Sequence, residues 1–169
     1  MGNTERNQFV KTSIINATIK LLHDKPLENI SIGEIVNEAQ VSRNSFYRNY
    51  SEKENILREH ISDLLDQWDY DYNHTRKIDH DSEMYGSFFA HLKNNSDFYL
   101  TLRERNLFHL FREVYLEKYG PKPEHDNMAA YVVAFIQNGM LGWIDEWTKR
   151  GMQESADSMA ELLASNGVK

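Results

Sequence analysis

The chain has 169 residues, 40% of them hydrophobic, no cysteine and a formal net charge of −7. That length fits one compact domain, or a small domain beside a medium one, and the absence of cysteine excludes disulfides and thiolate metal sites. No apolar run approaches the ~20 residues of a membrane span, and the start MGNTERNQF lacks a signal peptide's apolar centre, so a cytoplasmic location and no membrane partner are expected.

Helical periodicity runs through the chain and strand alternation persists nowhere, which predicts an all-α fold of about nine helices. The first helix is predicted from about Arg6 to His23, with Val10, Ile14, Ala17 and Leu21 on one face and Pro26 ending it. Ser31 and Glu34 have capping-box spacing and open a second helix carrying Ile32, Ile35, Val36 and Ala39. Ser42 opens a short third helix with Phe46 turned inward. Ser51 and Glu54 repeat the capping-box spacing before a fourth, where Leu57, Ile61, Leu64 and Trp68 share a face. The polar stretch DYDYNHTRKIDHDS, residues 69–82, reads as a helix end and linker with a hinge near residue 75. A helix from Glu83 to Lys93 follows, then shorter helical segments marked by Phe98, Leu102, Phe108, Phe111 and Tyr115. The most apolar helix is predicted from about Asn127 to Arg150 and closed by Gly151. Ser155 caps a last amphipathic helix bearing Met159, Leu162 and Leu163.

Within this frame, SRNSFYRNY (residues 42–50) concentrates the hydroxyls, amides, arginines and aromatics that meet phosphates and base edges. A short polar helix held by a two-helix frame is the layout of a helix-turn-helix reader. The overall charge is negative, but residues 1–51 carry six Lys and Arg against five Asp and Glu. The acidic excess therefore lies outside the reader. Ser42 is the expected N-cap. Arg43 and Asn44 stand early in the helix, where arginine can pair with guanine and asparagine with adenine, and Ser45 can contact either. Arg48 is expected on a phosphate, and Ser31 at the second helix's N-terminus on another.

Ile35, Val36, Ala39, Val41, Ser42, Tyr47, Tyr50, Lys53, Glu54 and Leu57 fall in the order and register of one family. On them, the first third of the chain resembles the DNA-binding domain of TetR/AcrR-type transcriptional regulators. Gln40 departs from the family's usual glycine and Asn44 from a common small residue, so no target sequence transfers. The resemblance implies that Tyr47 and Lys53 grip the phosphate backbone. It also implies a helix-turn-helix domain over residues 1–52 and a helical ligand-binding and dimerisation domain over 53–169. The tail, with GMLGWIDEW and GMQESADSMAELL, is similar to a Firmicutes TetR-type subgroup that includes regulators of dihydroxyacetone utilisation.

Such readers work as dimers on two half-sites, so the expected partners are a palindromic duplex, a second copy of the chain and a small-molecule effector. The dimer face is assigned to Gly139, Gly142, Trp143, Trp147, Met159 and Leu162, the two glycines permitting close helix approach. Phe88, His91, Phe108, Phe111, Tyr115, Tyr131 and Phe135 are the candidate lining of a ligand pocket. The expected function is a dimeric repressor tuned by a small molecule, the alternative an activator or coactivator of the same fold. No nucleophile elbow, phosphate-cradling loop or H-E-x-x-H motif occurs, so neither catalysis nor a cofactor or metal is expected.

Overall fold

A computed structural model describes residues 2–75 and 81–165. Among them are nine α-helices and one turn of 3-10 helix, with no strand. The helices are α1 (Asn3–Asp24), α2 (Ile32–Glu38), α3 (Arg43–Asn49), α4 (Lys53–Thr75) and α5 (Asp81–Asn94). They continue as α6 (Ser96–Glu104), α7 (Phe108–Tyr119), α8 (Asn127–Lys149) and α9 (Ala156–Ser165). The single 3-10 turn, Leu27–Asn29, follows Pro26.

The first three helices form a triangular unit because each ends on a local signal. Ser31 closes a complete capping box with Glu34 at the head of α2. Glu34 has its carboxyl lowered to about 2, first by the Lys25 ammonium bonded to it and then by the Ser31 N–H and hydroxyl. Ser42 accepts from the Ser45 N–H and starts α3. Between α2 and α3 the chain turns in four residues, and Gln40 takes φ = 55°, the left-handed conformation. A β-carbon is crowded there. Gln40→Gly is therefore expected to stabilise the fold by about 0.5–1 kcal/mol, the relief of strain exceeding glycine's larger unfolded-state entropy. Urea denaturation measures it, and a lower midpoint in the variant would contradict the strain.

Ile14, Leu22, Ile30, Ile35 and Phe46 are fully buried between these helices. The buried side chains of the whole chain make one continuous cluster, which passes through Ile56, Leu57, Ile61 and Leu65 of α4 into Phe89, Leu92, Tyr99, Leu110 and Phe111. The expected division at residue 52 is thus not a break in the core.

One structural expectation is corrected and another sharpened. α4 begins at Lys53, so Ser51 stands too early to cap it, and its hydroxyl instead accepts from Asn55 Nδ2 at 3.2 Å. Of the stretch read as a helix end and linker, residues 69–75 are all helix end, the last two turns of α4. Trp68 and Tyr72 stack one turn apart there, and Asp69 is ion-paired to Lys118 of α7. The proposed hinge at residue 75 falls at the end of α4, and the rest of that segment up to residue 80 lies outside the described residues.

Candidate nucleic-acid interface and ligand cavity

α2 and α3 hold the expected DNA-contacting residues on one side of the triangular unit. Ser42, Arg43, Asn44, Tyr47 and Arg48 are exposed, while Phe46 beneath them is fully buried and anchors the helix. Tyr47 is 58% exposed and meets the edge of the Phe46 ring at 5.6 Å, so its ring is braced while its phenol end is free to reach outward. Ser42 and Ser45 share a hydroxyl–hydroxyl bond of 2.9 Å, and Arg48 Nη2 donates to Ser45 Oγ at 3.3 Å. Ser45 is accordingly half-buried in a local network, and its hydroxyl is already engaged. A β-carbon on Gly33 would lie 3.1 Å from Arg43 Nη2, so α2 leaves room for the guanidinium beside it.

Two expected phosphate contacts are placed otherwise. Ser31 bonds the Glu34 carboxylate through both its N–H and its hydroxyl, each at 2.9 Å. That carboxylate already fills the anion position at the head of α2, and a phosphate there would meet like charge. Lys53 turns its ammonium back into the protein. Nζ donates to the carbonyl of Leu27 at 2.5 Å, of Ile30 at 2.7 Å and of Glu28 at 3.4 Å. It closes the turn between α1 and α2 onto the first turn of α4.

The triangular unit is tied to the remaining helices at two joints. At the end of α1, Arg105 donates to the Leu22 carbonyl at 2.8 Å and to the His23 carbonyl at 2.5 Å. His23 also faces Asp97 at 3.3 Å. Along α4, Arg58 pairs with Glu113, and Lys118 pairs with Asp66 and with Asp69. α4 is therefore shared between the reader and the body.

At the far end of α4 lies a cavity of about 290 Å³ between α4, α5, α7 and α8. Of the predicted lining, Phe88 and Tyr115 are there. Phe108 and Phe111 are not, because they pack in the core, where the Arg103 guanidinium lies 3.9 Å from the Phe108 ring centre. His91 is half-buried outside the lining, and burial pushes its imidazole below the ordinary histidine range. Tyr131 and Phe135 stand exposed on α8 and do not line the cavity. Sequence reasoning missed Trp68, Tyr72 and Tyr119 as lining, although the spacings 68/72 and 115/119 set aromatic pairs one helical turn apart. Tyr115 donates its hydroxyl to Gln137 Oε1 at 2.5 Å, joining α7 to α8.

The outer face of α8 carries Met128, Tyr131, Val132 and Phe135, all more than half exposed. Gly139 and Gly142 continue it, and a β-carbon on either would meet nothing within 4 Å. Trp143 is half-buried, and Leu162 of α9 is exposed beside it along a shared groove. Trp147 and Met159, by contrast, are buried within the subunit. Trp147 sits edge-on to Phe89 at 5.6 Å, and Trp147 and Met159 also line that groove.

Comparison with known proteins fits this geometry. Residues 14–60 match the family model described as bacterial regulatory proteins, tetR family. Residues 79–166 match the model described as transcriptional regulator C-terminal region. No curated protein matches the chain. Among solved structures, a TetR transcriptional regulator from Streptococcus agalactiae 2603V is similar over 96% of each chain, with a TM-score of 0.64 and 20% identity. At that identity the likeness speaks for the fold. An amino-terminal helix-turn-helix with its Phe46-anchored reader, and a carboxy-terminal helical region matched over more than half the chain, together establish that this chain belongs to the TetR family of bacterial transcriptional regulators.

Proposed function

We propose that the protein is a homodimeric repressor that binds a palindromic operator and releases it when a small molecule enters the cavity beside α4. One observation carries this reading. α4 begins at Lys53, against the reader, and near its end places Trp68, Tyr72 and Asn73 in the cavity wall. A ligand that favours one setting of α4 changes the separation of two readers in a dimer, and hence their fit to two half-sites. A coupling of ~1–3 kcal/mol changes DNA affinity ~5–150-fold.

In this reading Arg43 and Asn44 read bases, while Tyr47, Arg48 and the Ser42 N-cap position the helix on the backbone. Ser45 supports Arg48 and has a lesser role at bases. The exposed face of α8, continued by Gly139, Gly142, Trp143 and Leu162, supports the dimer. The narrower likeness of the tail to dihydroxyacetone-utilisation regulators supports the second reading, an activator or coactivator working through a partner protein. The open reader surface favours direct DNA binding over it.

Selection of bound duplexes from a random pool at ~150 mM salt tests the reading. Enrichment of a palindromic motif is expected. With that motif in hand, Arg43→Ala should cost about 1–3 kcal/mol and relax the preference at one position of each half-site. An equal loss on all sequences would remove Arg43 from the base-reading role. A folded dimer that enriches nothing would favour the coactivator.

A further inference from the structure

We infer that the α4–α5–α7–α8 cavity selects an organic cation: a compact aromatic or alkyl body carrying one ammonium group, with Asp69 as its counter-charge. This rests on the ligand reading above and names the chemical class of the ligand. The walls are aromatic faces grouped around Trp68. Its ring centre lies 4.6 Å from Phe88, 5.7 Å from Tyr72 and 6.2 Å from Tyr119, and Tyr115 closes on Tyr119 at 5.0 Å. Trp68 is held in place by its indole N–H, which donates to Ser87 Oγ at 3.1 Å. Aromatic faces carry negative potential and attract cations, tryptophan most strongly.

The charge of the lining has one sign. Among the described residues Asp69 is its one ionisable carboxylate, and no lysine, arginine or histidine lines the cavity. The protein already sets a cation at this edge. Lys118 Nζ stands 2.9 Å from Asp69 Oδ2 and 5.7 Å from the Tyr119 ring centre. The same ammonium also pairs with Asp66, so it keeps a partner when a ligand cation takes Asp69. An anionic ligand would meet the Asp66 and Asp69 carboxylates, which the single Lys118 ammonium offsets only in part. A neutral one would gain packing and hydrogen bonds to Asn73 or Gln137, but no attraction of charge. The volume of about 290 Å³ lies at the small end of ligand cavities, which argues for a compact molecule.

The same exchange supplies a route to regulation. Lys118–Asp69 is one of the ties between α4 and α7. A ligand ammonium that displaces Lys118 toward Asp66 loosens that tie at the cavity end of α4, the helix that begins under the reader.

The experiment titrates the full chain with benzyltrimethylammonium, with its uncharged isostere neopentylbenzene, and with benzylsulfonate as an anion of similar bulk, followed by tryptophan fluorescence. The cation is expected to bind about tenfold or more tighter than the neutral isostere, and the anion not at all. Asp69→Asn should abolish the preference for charge while leaving the neutral isostere's binding unchanged. Lys118→Gln removes the internal competitor and should tighten cation binding several-fold, an opposite change that misfolding cannot imitate. Equal binding of cation and neutral isostere, or a charge preference that survives Asp69→Asn, overturns the assignment. If none of the three probes binds while the protein still selects its palindrome, the cation inference fails and the regulator reading stands. If no palindrome is selected but the cation binds, the failure lies with the regulator reading.

Discussion

Phe135→Glu is expected to turn the protein into a folded monomer that has lost sequence-specific DNA binding. Phe135 is 83% exposed, the most exposed large apolar side chain among the described residues, and sits at the centre of the stripe formed by Met128, Tyr131, Val132 and Ile136. An apolar face of this kind, continued by two glycines with nothing near them, is the face the proposed dimer would cover. Burying one phenylalanine is worth about 1.5–3 kcal/mol, and a two-fold interface counts it twice. A glutamate there removes that gain and sets carboxylates from two subunits against apolar surface. The dimer dissociation constant should rise by at least about a hundredfold. Because the side chain packs against little of its own subunit, circular dichroism and the melting of the isolated subunit should hardly change. Analytical sedimentation measures the dissociation, and operator binding measures its consequence for DNA. A variant that remains dimeric and binds DNA as before would move the dimer to another face.

How much of this could be read from the residues depended on the range of the interaction that decides each point. Caps and periodicity are local. Ser31 with Glu34, Ser42 and the apolar steps of α1 act within one turn, and the helices form where they indicate. Phe46 is inward because its neighbours within the same motif force it so. How far α4 runs into the polar stretch is not legible locally, because the partners that hold its end are distant. Asp69 looks like a linker aspartate until Lys118, about fifty residues on, is placed beside it. Which apolar residues of α8 its own subunit covers was not legible for a related reason. Periodicity shows that the helix has an apolar stripe but not which arc its own subunit covers. Tyr131 and Phe135 fell on the uncovered arc, and Trp147 on the covered one.

Lys53 is where the motif and the geometry disagree, and the two readings predict different data for Lys53→Ala. Resemblance makes the ammonium a phosphate contact. Its removal would then weaken binding on every duplex evenly, reduce the salt slope by about one, and leave stability alone. The structure instead commits Nζ to the carbonyls of Leu27 and Ile30, across 26 and 23 residues of chain. Those carbonyls end the turn that sets α2 against α1, and Lys53 is the first residue of α4. A charge-assisted hydrogen bond contributes about 1.5–3 kcal/mol, and the half-buried acceptors left behind regain only part of their solvation. The expected result is therefore a loss of about 2 kcal/mol in unfolding free energy, with a salt slope unchanged from the wild type. DNA affinity should fall only as far as the reader becomes loose. Lys53→Met sharpens the comparison, because it keeps the aliphatic stem and removes the donors, and it should lose as much stability as alanine. Unchanged stability in both variants, with the slope lower by about one, would return Lys53 to the phosphate backbone and show that its ammonium swings outward when DNA arrives.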